Sequence, residues 1–238
     1  MKCSFTMHMR NNLKIPTGSE LFNNLLEGGY EKDILTTIYG PSGSGKTTLC
    51  MLASIAQASD KKKTIFIDTE EGFSLERMKQ LAGDELDSVL KSLILLKPTN
   101  FSEQNKALEK LKKIINDKIG LIVVDTLTVF YRLELAKDTN VKETNKRLIW
   151  QLSYLTEIAR KKSIPILITN QVYSDFSKKD DFRMVGGNIL RYNSKCLLKL
   201  SNLDKNKRKA ILVSHRSIPD GRETVFNIIN EGFISTEE

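Results

Sequence analysis

The sequence predicts an α/β fold in which a mostly parallel twisted sheet is flanked by helices and continues into a C-terminal antiparallel extension. Short β-rich apolar runs alternate with longer segments of helical period, the pattern of a parallel sheet with crossover helices. After Thr169 the alternation gives way to apolar runs separated by short polar turns, with no helix expected between them. The 238 residues suffice for one sizeable core, and no repeat, low-complexity tract or linker divides them. An arm over residues 1–15 and a single core over 16–238 are therefore expected.

The parallel strands are read at 34–39, 64–68, 93–96, 121–125 and 164–169. Helices are expected at 46–58, 74–81, 102–116 and 141–161. In the last of these, Leu148, Leu152, Leu155 and Ala159 recur every three or four residues, the stripe of a helix packed on a sheet. The extension comprises runs at 194–200, 209–215 and 224–229. Turn chemistry at 202–206 and at Pro219-Asp220-Gly221 separates them.

Lys and Arg number 37 against 29 Asp and Glu, a net charge of +8 with a pI of about 9.3. Such an excess suits a polyanionic partner, although many soluble proteins are mildly basic without one. Cys3, Cys50 and Cys196 are too few and too scattered for a disulfide framework or a C-x-x-C metal site, which leads to the expectation of a reducing, cytoplasmic setting. No signal-peptide pattern and no 18-residue apolar stretch occurs, so no membrane role is expected.

Gly40-Pro41-Ser42-Gly43-Ser44-Gly45-Lys46-Thr47 fits G-x-x-x-x-G-K-[ST], follows a strand and opens a helix. Gly43 and Gly45 allow backbone conformations closed to other residues, so successive N–H groups can point at phosphate oxygens. Lys46 reaches the β/γ-phosphates, the Thr47 hydroxyl is placed for Mg²⁺, and Thr48 follows on the same helix turn, whose positive end faces the anion. ATP with Mg²⁺ is the expected ligand. Leu121-Ile122-Val123-Val124-Asp125 is an apolar strand ending in a carboxylate, the form of the second metal-positioning element. Hydrolysis also requires a group that orients or deprotonates water. Glu70 is the candidate base, with Asp68 and Glu71 as alternatives, and Gln171, after the strand ending in Thr169-Asn170, is a candidate sensor of the γ-phosphate.

In order, the P-loop, Ile67-Asp68-Thr69-Glu70, Val123-Val124-Asp125-Thr126, Ile168-Thr169-Asn170-Gln171-Val172 and Gly186-Gly187-Asn188 resemble the RecA/RadA recombinase superfamily over nearly the whole chain. Phe73-Ser74-Leu75-Glu76-Arg77 and Val129-Phe130-Tyr131-Arg132 are similar to its archaeal and eukaryotic branch. His215-Arg216-Ser217-Ile218-Pro219-Asp220-Gly221, with no N-terminal helical DNA-binding domain ahead of the core, resembles the archaeal RadB family of short RadA paralogues.

The resemblance implies a RecA-like core in which Lys46 and Thr47 bind phosphate and Mg²⁺, Asp125 supports the metal, Glu70 is the base and Gln171 the sensor. It further implies that Arg77 stacks on adenine, and that the protein is a slow ATPase assisting a RadA-type recombinase on single-stranded or structured DNA. The two DNA loops of the family correspond to 133–144, with Lys137 and Lys142, and to 172–185, where Lys178, Lys179 and Arg183 are matched by Asp175, Asp180 and Asp181. That balance weakens the carry-over of DNA-strand exchange. Basic character is concentrated instead between Lys195 and Arg216, where Lys199, Lys205, Lys207, Arg208 and Lys209 also lie and Asp204 is the sole acid. Lys207, Arg208, Lys209, His215 and Arg216 are thus further candidate DNA contacts. The Phe-x-x-Ala segment that joins subunits in filament-forming relatives does not occur, Phe5-Thr6-Met7-His8 lying in the corresponding region, so assembly into long filaments is not expected. A KaiC-like regulatory ATPase and a non-hydrolysing ATP-binding adaptor are the competing readings.

Overall fold

The computed structural model describes residues 13–137, 140–174, 182–204 and 206–236. Its elements run β1 (Lys14–Ile15), α1 (Glu20–Leu25), β2 (Tyr30–Glu31), β3 (Leu35–Tyr39), α2 (Lys46–Ser59), β4 (Lys63–Asp68) and α3 (Leu75–Ala82). A short 3₁₀ turn (Gly83–Glu85) leads to α4 (Leu86–Ser92), β5 (Leu93–Leu96), α5 (Phe101–Ile114), β6 (Ile119–Asp125), α6 (Val129–Lys137) and α7 (Val141–Lys162). The remainder is β7 (Ile166–Asn170), β8 (Val172–Ser174), β9 (Phe182–Met184), α8 (Gly187–Asn193), β10 (Cys196–Asn202), β11 (Lys207–His215), β12 (Glu223–Ile229) and β13 (Gly232–Ser235).

Among the described residues the main sheet has nine strands in the order β13-β12-β11-β10-β3-β7-β6-β4-β5. The pairs from β10–β3 to β4–β5 are parallel, and β10 to β13 pair antiparallel. The central strands read as continuous apolar runs because helices cover both faces. Ile65, Ile67, Ile122, Val124, Ile166 and Ile168 pack with α5, α6 and α7. Their neighbours Phe66, Leu121, Val123 and Leu167 pack with α1 and α2 on the other face. The expected α7 stripe is buried, Leu148, Leu152, Leu155 and Ala159 all being fully enclosed. Each of those leucines contributes about 1.5–3 kcal/mol by leaving water. In β11, by contrast, Ala210 and Leu212 are buried while Lys209, Ile211 and Val213 are only half covered, the alternation of a strand with one covered face.

Local signals set the helix ends. The Ser74 hydroxyl caps α3 by accepting from the Arg77 amide, and Asn100 and Asn140 do the same for α5 and α7 through the amides of Glu103 and Glu143. Among the described residues no helix separates β10, β11 and β12, as expected for the runs at 194–200, 209–215 and 224–229, whereas α6 and α8, the latter between β9 and β10, are not among the helices expected. Residues 133–137 belong to α6 and 141–144 to the start of α7. The segment 172–185 carries a short antiparallel pair, β8 with β9. No helix of the described residues is long and apolar enough to cross a membrane.

Candidate functional site

Parallel strands with helical crossovers deliver their carboxyl ends to one edge of the sheet, where ligands of open α/β folds bind. Here Asp68 and Asp125 are register partners on β4 and β6, and Tyr39 and Asn170 on β3 and β7. The loop from Gly40 to Thr47 leaves β3 at that edge and enters α2.

Gly45 caps α2 at φ +103°, and a Cβ there would lie 3.1 Å from the Phe233 ring. At Gly40 a Cβ would lie 2.3 Å from the Leu200 carbonyl oxygen of β10. Both positions exclude a side chain. The loop braces itself, since the Ser44 hydroxyl donates to the Pro41 carbonyl (2.8 Å) and the Gly40 amide to the Asn170 carbonyl (3.3 Å). Ser42 and Gly43 form its exposed tip, and Thr48 is half-buried on the first turn of α2.

Lys46 is buried, and its ammonium donates to the carbonyls of Gly40 (2.9 Å) and Pro41 (2.8 Å). Burial lowers its pKa, while the carboxylates of Asp125 and Glu70 pull it back up. The Thr47 hydroxyl donates to Asp125 Oδ2 at 2.7 Å, and the Thr169 hydroxyl donates to Asp125 Oδ1. Burial pushes the Asp125 carboxyl above the usual aspartate range against those two hydrogen bonds, and Glu70 and Asp68 add repulsion.

Among the three acids considered as base, the geometry separates the roles. Asp68 accepts the amides of Gly72 (3.0 Å) and Phe73 (3.2 Å), which shapes the turn into α3. Glu71 sits in that turn at φ +56°. Glu70 is exposed and accepts from Gln171 Nε2 at 2.6 Å and from the Thr126 hydroxyl at 3.2 Å. Candidate base and candidate sensor are thus in direct contact. Thr126 and Thr169, which tie Glu70 and Asp125 into this cluster, were not singled out from the sequence; their signal was a threonine following or closing each strand-end motif.

Arg77, on α3, donates to the carbonyls of Ile229 (2.8 Å) and Asn230 (3.2 Å) and to Gln80 (2.9 Å). Its guanidinium ties α3 to the β12–β13 turn, next to the strand that carries Phe233. Burial lowers its pKa, with Glu231 acting in the opposite direction.

The basic cluster divides into two groups. Lys207 is exposed at the start of β11, Lys209 pairs with Glu223 of β12 at 2.7 Å, and Arg208 donates to the Gly43 carbonyl at 3.0 Å. Arg216 instead spans Glu31 (2.5 Å) and Asp33 (2.8 Å), so both faces of its guanidinium fork are taken by carboxylates. Asp204 is the sole acid within the segment, but the fold adds Glu223 through the β11–β12 pairing and Glu31 and Asp33 from β2 and the turn that follows it. Of the remaining candidates, Lys178, Lys179 and Lys205 lie outside the described residues, as does the segment 5–8. Arg183 lies on β9 opposite Tyr173.

His215 Nδ1 accepts the amides of Ser217 (3.1 Å) and Ile218 (3.2 Å), which requires the unprotonated nitrogen. Burial is the main cause holding its pKa below the ordinary histidine value, the Glu31 carboxylate opposing. The unfolded chain therefore binds this proton more readily than the folded one, and stability rises with pH through the window below about 6.5. Thermal unfolding between about pH 5.5 and 7.5 should show a midpoint that falls on acidification, and His215→Gln should flatten that slope while lowering the midpoint at neutral pH. An unchanged slope in the variant would remove His215 as its origin.

A Rad51 family profile matches residues 8–236. The chain is 39% identical over 233 residues to the DNA repair and recombination protein RadB of Methanobrevibacter smithii, covering 95% of this chain and 98% of that protein. It is 38% identical to the protein of the same name from Methanococcoides burtonii, covering 88% and 92%. A crystal structure described as that of the RadB recombinase superposes with a TM-score of 0.79 at 36% identity, covering 94% of this chain and all of the other.

Proposed function

The chain belongs to the Rad51 family, on its RadB branch, and from that premise we infer that it is an ATP-binding accessory protein of homologous recombination and DNA repair. It acts on DNA, hydrolyses ATP slowly and works beside a RadA-type recombinase. One observation carries the nucleotide reading: the Thr47–Asp125 bond (2.7 Å) and the Glu70–Gln171 bond (2.6 Å) converge beside the phosphate loop.

In this reading the Lys46 ammonium exchanges the carbonyls of Gly40 and Pro41 for β- and γ-phosphate oxygens. The residues fit Mg²⁺, since a hydroxyl and a carboxylate oxygen lie side by side, and that ion takes one or two protein oxygens and completes its shell with phosphate and water. No group of three or more His, Cys, Asp or Glu among the described residues offers a fuller metal site. When bound, Mg²⁺ neutralises charge on the phosphate oxygens. Glu70 orients and deprotonates the attacking water, and Gln171 reads the γ-phosphate through its contact with Glu70. Behind Gln171, the Asn170 side chain donates to the Val185 carbonyl (2.8 Å) and the Val185 amide to the Gln171 carbonyl (3.2 Å), which connects the sensor to both ends of the segment expected to meet DNA.

DNA contact is assigned to the exposed hairpin cations around Lys207 and not to Arg216, whose charge is already met by Glu31 and Asp33. Binding to single- and double-stranded DNA across a salt series, with and without ATP, tests this. Each phosphate contact contributes about 0.7–0.9 to the slope of log affinity against log salt. Lys207→Ala should reduce the slope by roughly one such contact at all sequences, whereas Arg216→Ala should lower the unfolding temperature and leave the slope unchanged. Salt-insensitive binding, or none at moderate salt, would overturn the DNA assignment.

A further inference from the structure

A loop that turns amides inward toward phosphate leaves carbonyls at its tip facing outward, where water or a protein donor can meet them. At the tip of this phosphate loop the partners come from the basic hairpin. Arg208 Nε donates to the Gly43 carbonyl at 3.0 Å, and Asn202 Nδ2 donates to the preceding carbonyl, that of Ser42, at 3.4 Å. Asn202 and Arg208 face each other across the β10–β11 ladder, so one rung of the hairpin grips two consecutive loop residues. One loop turn earlier, the Leu200 carbonyl of β10 lies within 2.3 Å of where a Gly40 Cβ would stand. The hairpin therefore follows the loop from Gly40 to Gly43.

Arg208 differs from Arg216 in what surrounds it. The Arg216 fork is filled by two carboxylates, whereas Arg208 donates to the main-chain carbonyls of Gly43, Asp204 and Lys207. Its positive charge thus stands at the mouth of the phosphate cradle while its Nε fixes the loop from outside. We propose that Arg208 is a positioning residue of the nucleotide site: it pre-organises the phosphate loop and couples that loop to polyanion binding on the hairpin. This rests on the ATP reading above. A nucleic-acid phosphate that draws the guanidinium toward Lys207 does so at the expense of the Gly43 bond, so hairpin occupancy and nucleotide affinity change together.

The test is titration of a fluorescent ATP analogue with Mg²⁺ against the wild-type chain, Arg208→Ala, Arg208→Lys and Arg222→Ala. Arg222 pairs with Glu27 at 2.6 Å, and its replacement removes one positive charge without touching the loop. Arg208→Ala should bind about tenfold more weakly, as expected for loss of a charge-assisted hydrogen bond. The deficit should persist at about 0.5 M salt, where through-solvent attraction is screened. Arg208→Lys should recover affinity in low salt, where charge suffices, and lose it in high salt, because it lacks the directional Nε donor. Arg222→Ala should stay within about twofold of wild type, as expected for an exposed ion pair.

Adding a single-stranded oligonucleotide should change the affinity of the wild-type chain and leave that of Arg208→Ala unmoved. Thermal unfolding of the nucleotide-free variants reports any general loss of structure. An Arg208→Ala chain that binds within twofold of wild type overturns the proposal, as does a deficit that disappears at high salt or that Arg222→Ala reproduces. A wild-type chain that binds no ATP overturns the underlying reading and this inference with it, so the two failures are told apart by the wild-type titration.

Discussion

Replacing Lys46 by alanine is expected to weaken ATP binding by about a hundredfold or more, because two charge-assisted hydrogen bonds are lost at about 1.5–3 kcal/mol each. Lys46 is buried, and its ammonium donates to the carbonyls of Gly40 and Pro41. Those are neutral acceptors that anionic phosphate oxygens outcompete. Burial already works against the charged form, so the site spends stability to keep an ammonium where only an anion fully compensates it. Two consequences follow. The nucleotide-free Lys46→Ala chain should unfold at nearly the wild-type temperature, since the variant removes a desolvated charge along with its bonds. Lys46→Arg should not rescue binding, because a planar fork cannot occupy the space of a compact ammonium against the Gly40 and Pro41 carbonyls. Calorimetric titration with Mg-ATP checks both, and an unchanged affinity in Lys46→Ala would dismiss the loop as the nucleotide site.

The reaching distance of sequence reasoning is visible in which of these contacts it anticipated. The parallel strands were legible because burial on both faces makes them continuous apolar runs, and Glu70, Asp125 and Gln171 follow from where such strands end. The turn at Asp68 was less legible: its carboxylate is committed to two backbone amides that no side-chain pattern announces. Short helices also escaped. In α6 the apolar residues Val129, Phe130, Leu133 and Leu135 are spread around the helix and give no stripe, and α8 has only seven residues. Most opaque was the electrostatics of the C-terminal strands. Asn202 reaches a loop residue 160 positions away through the parallel pairing of β10 with β3. Glu31, which neutralises Arg216, is 185 positions distant. A charge count confined to the neighbouring sequence meets a single acid, Asp204, whereas the fold sets Arg216 against Glu31 and Asp33 and Lys209 against Glu223, bonds Arg208 to the Gly43 carbonyl and leaves Lys207 exposed.

The second large effect is expected at Glu70. Glu70→Gln should bind ATP as tightly as wild type or slightly more so, and should hydrolyse it at least about a hundredfold more slowly, the range assigned to loss of a general base. The substitution is nearly isosteric, and the Gln carbonyl can still accept from Gln171 Nε2 and the Thr126 hydroxyl, so the cluster keeps its shape and loses only its charge and basicity. Removing a negative charge beside the γ-phosphate accounts for the unimpaired binding. Gln171→Ala gives the contrasting result. It leaves the carboxylate in place while cutting its link to the Asn170–Val185 connection, so hydrolysis should persist at a reduced rate while its response to DNA is lost. Single-turnover hydrolysis with and without single-stranded DNA separates the two variants, since the first loses rate in both conditions and the second loses the difference between them. Full activity in Glu70→Gln would transfer the base role away from this carboxylate. Asp68 could not inherit it without surrendering the Gly72 and Phe73 amides that fold the entry to α3, so the mechanism would then have to use water positioned by the phosphate itself.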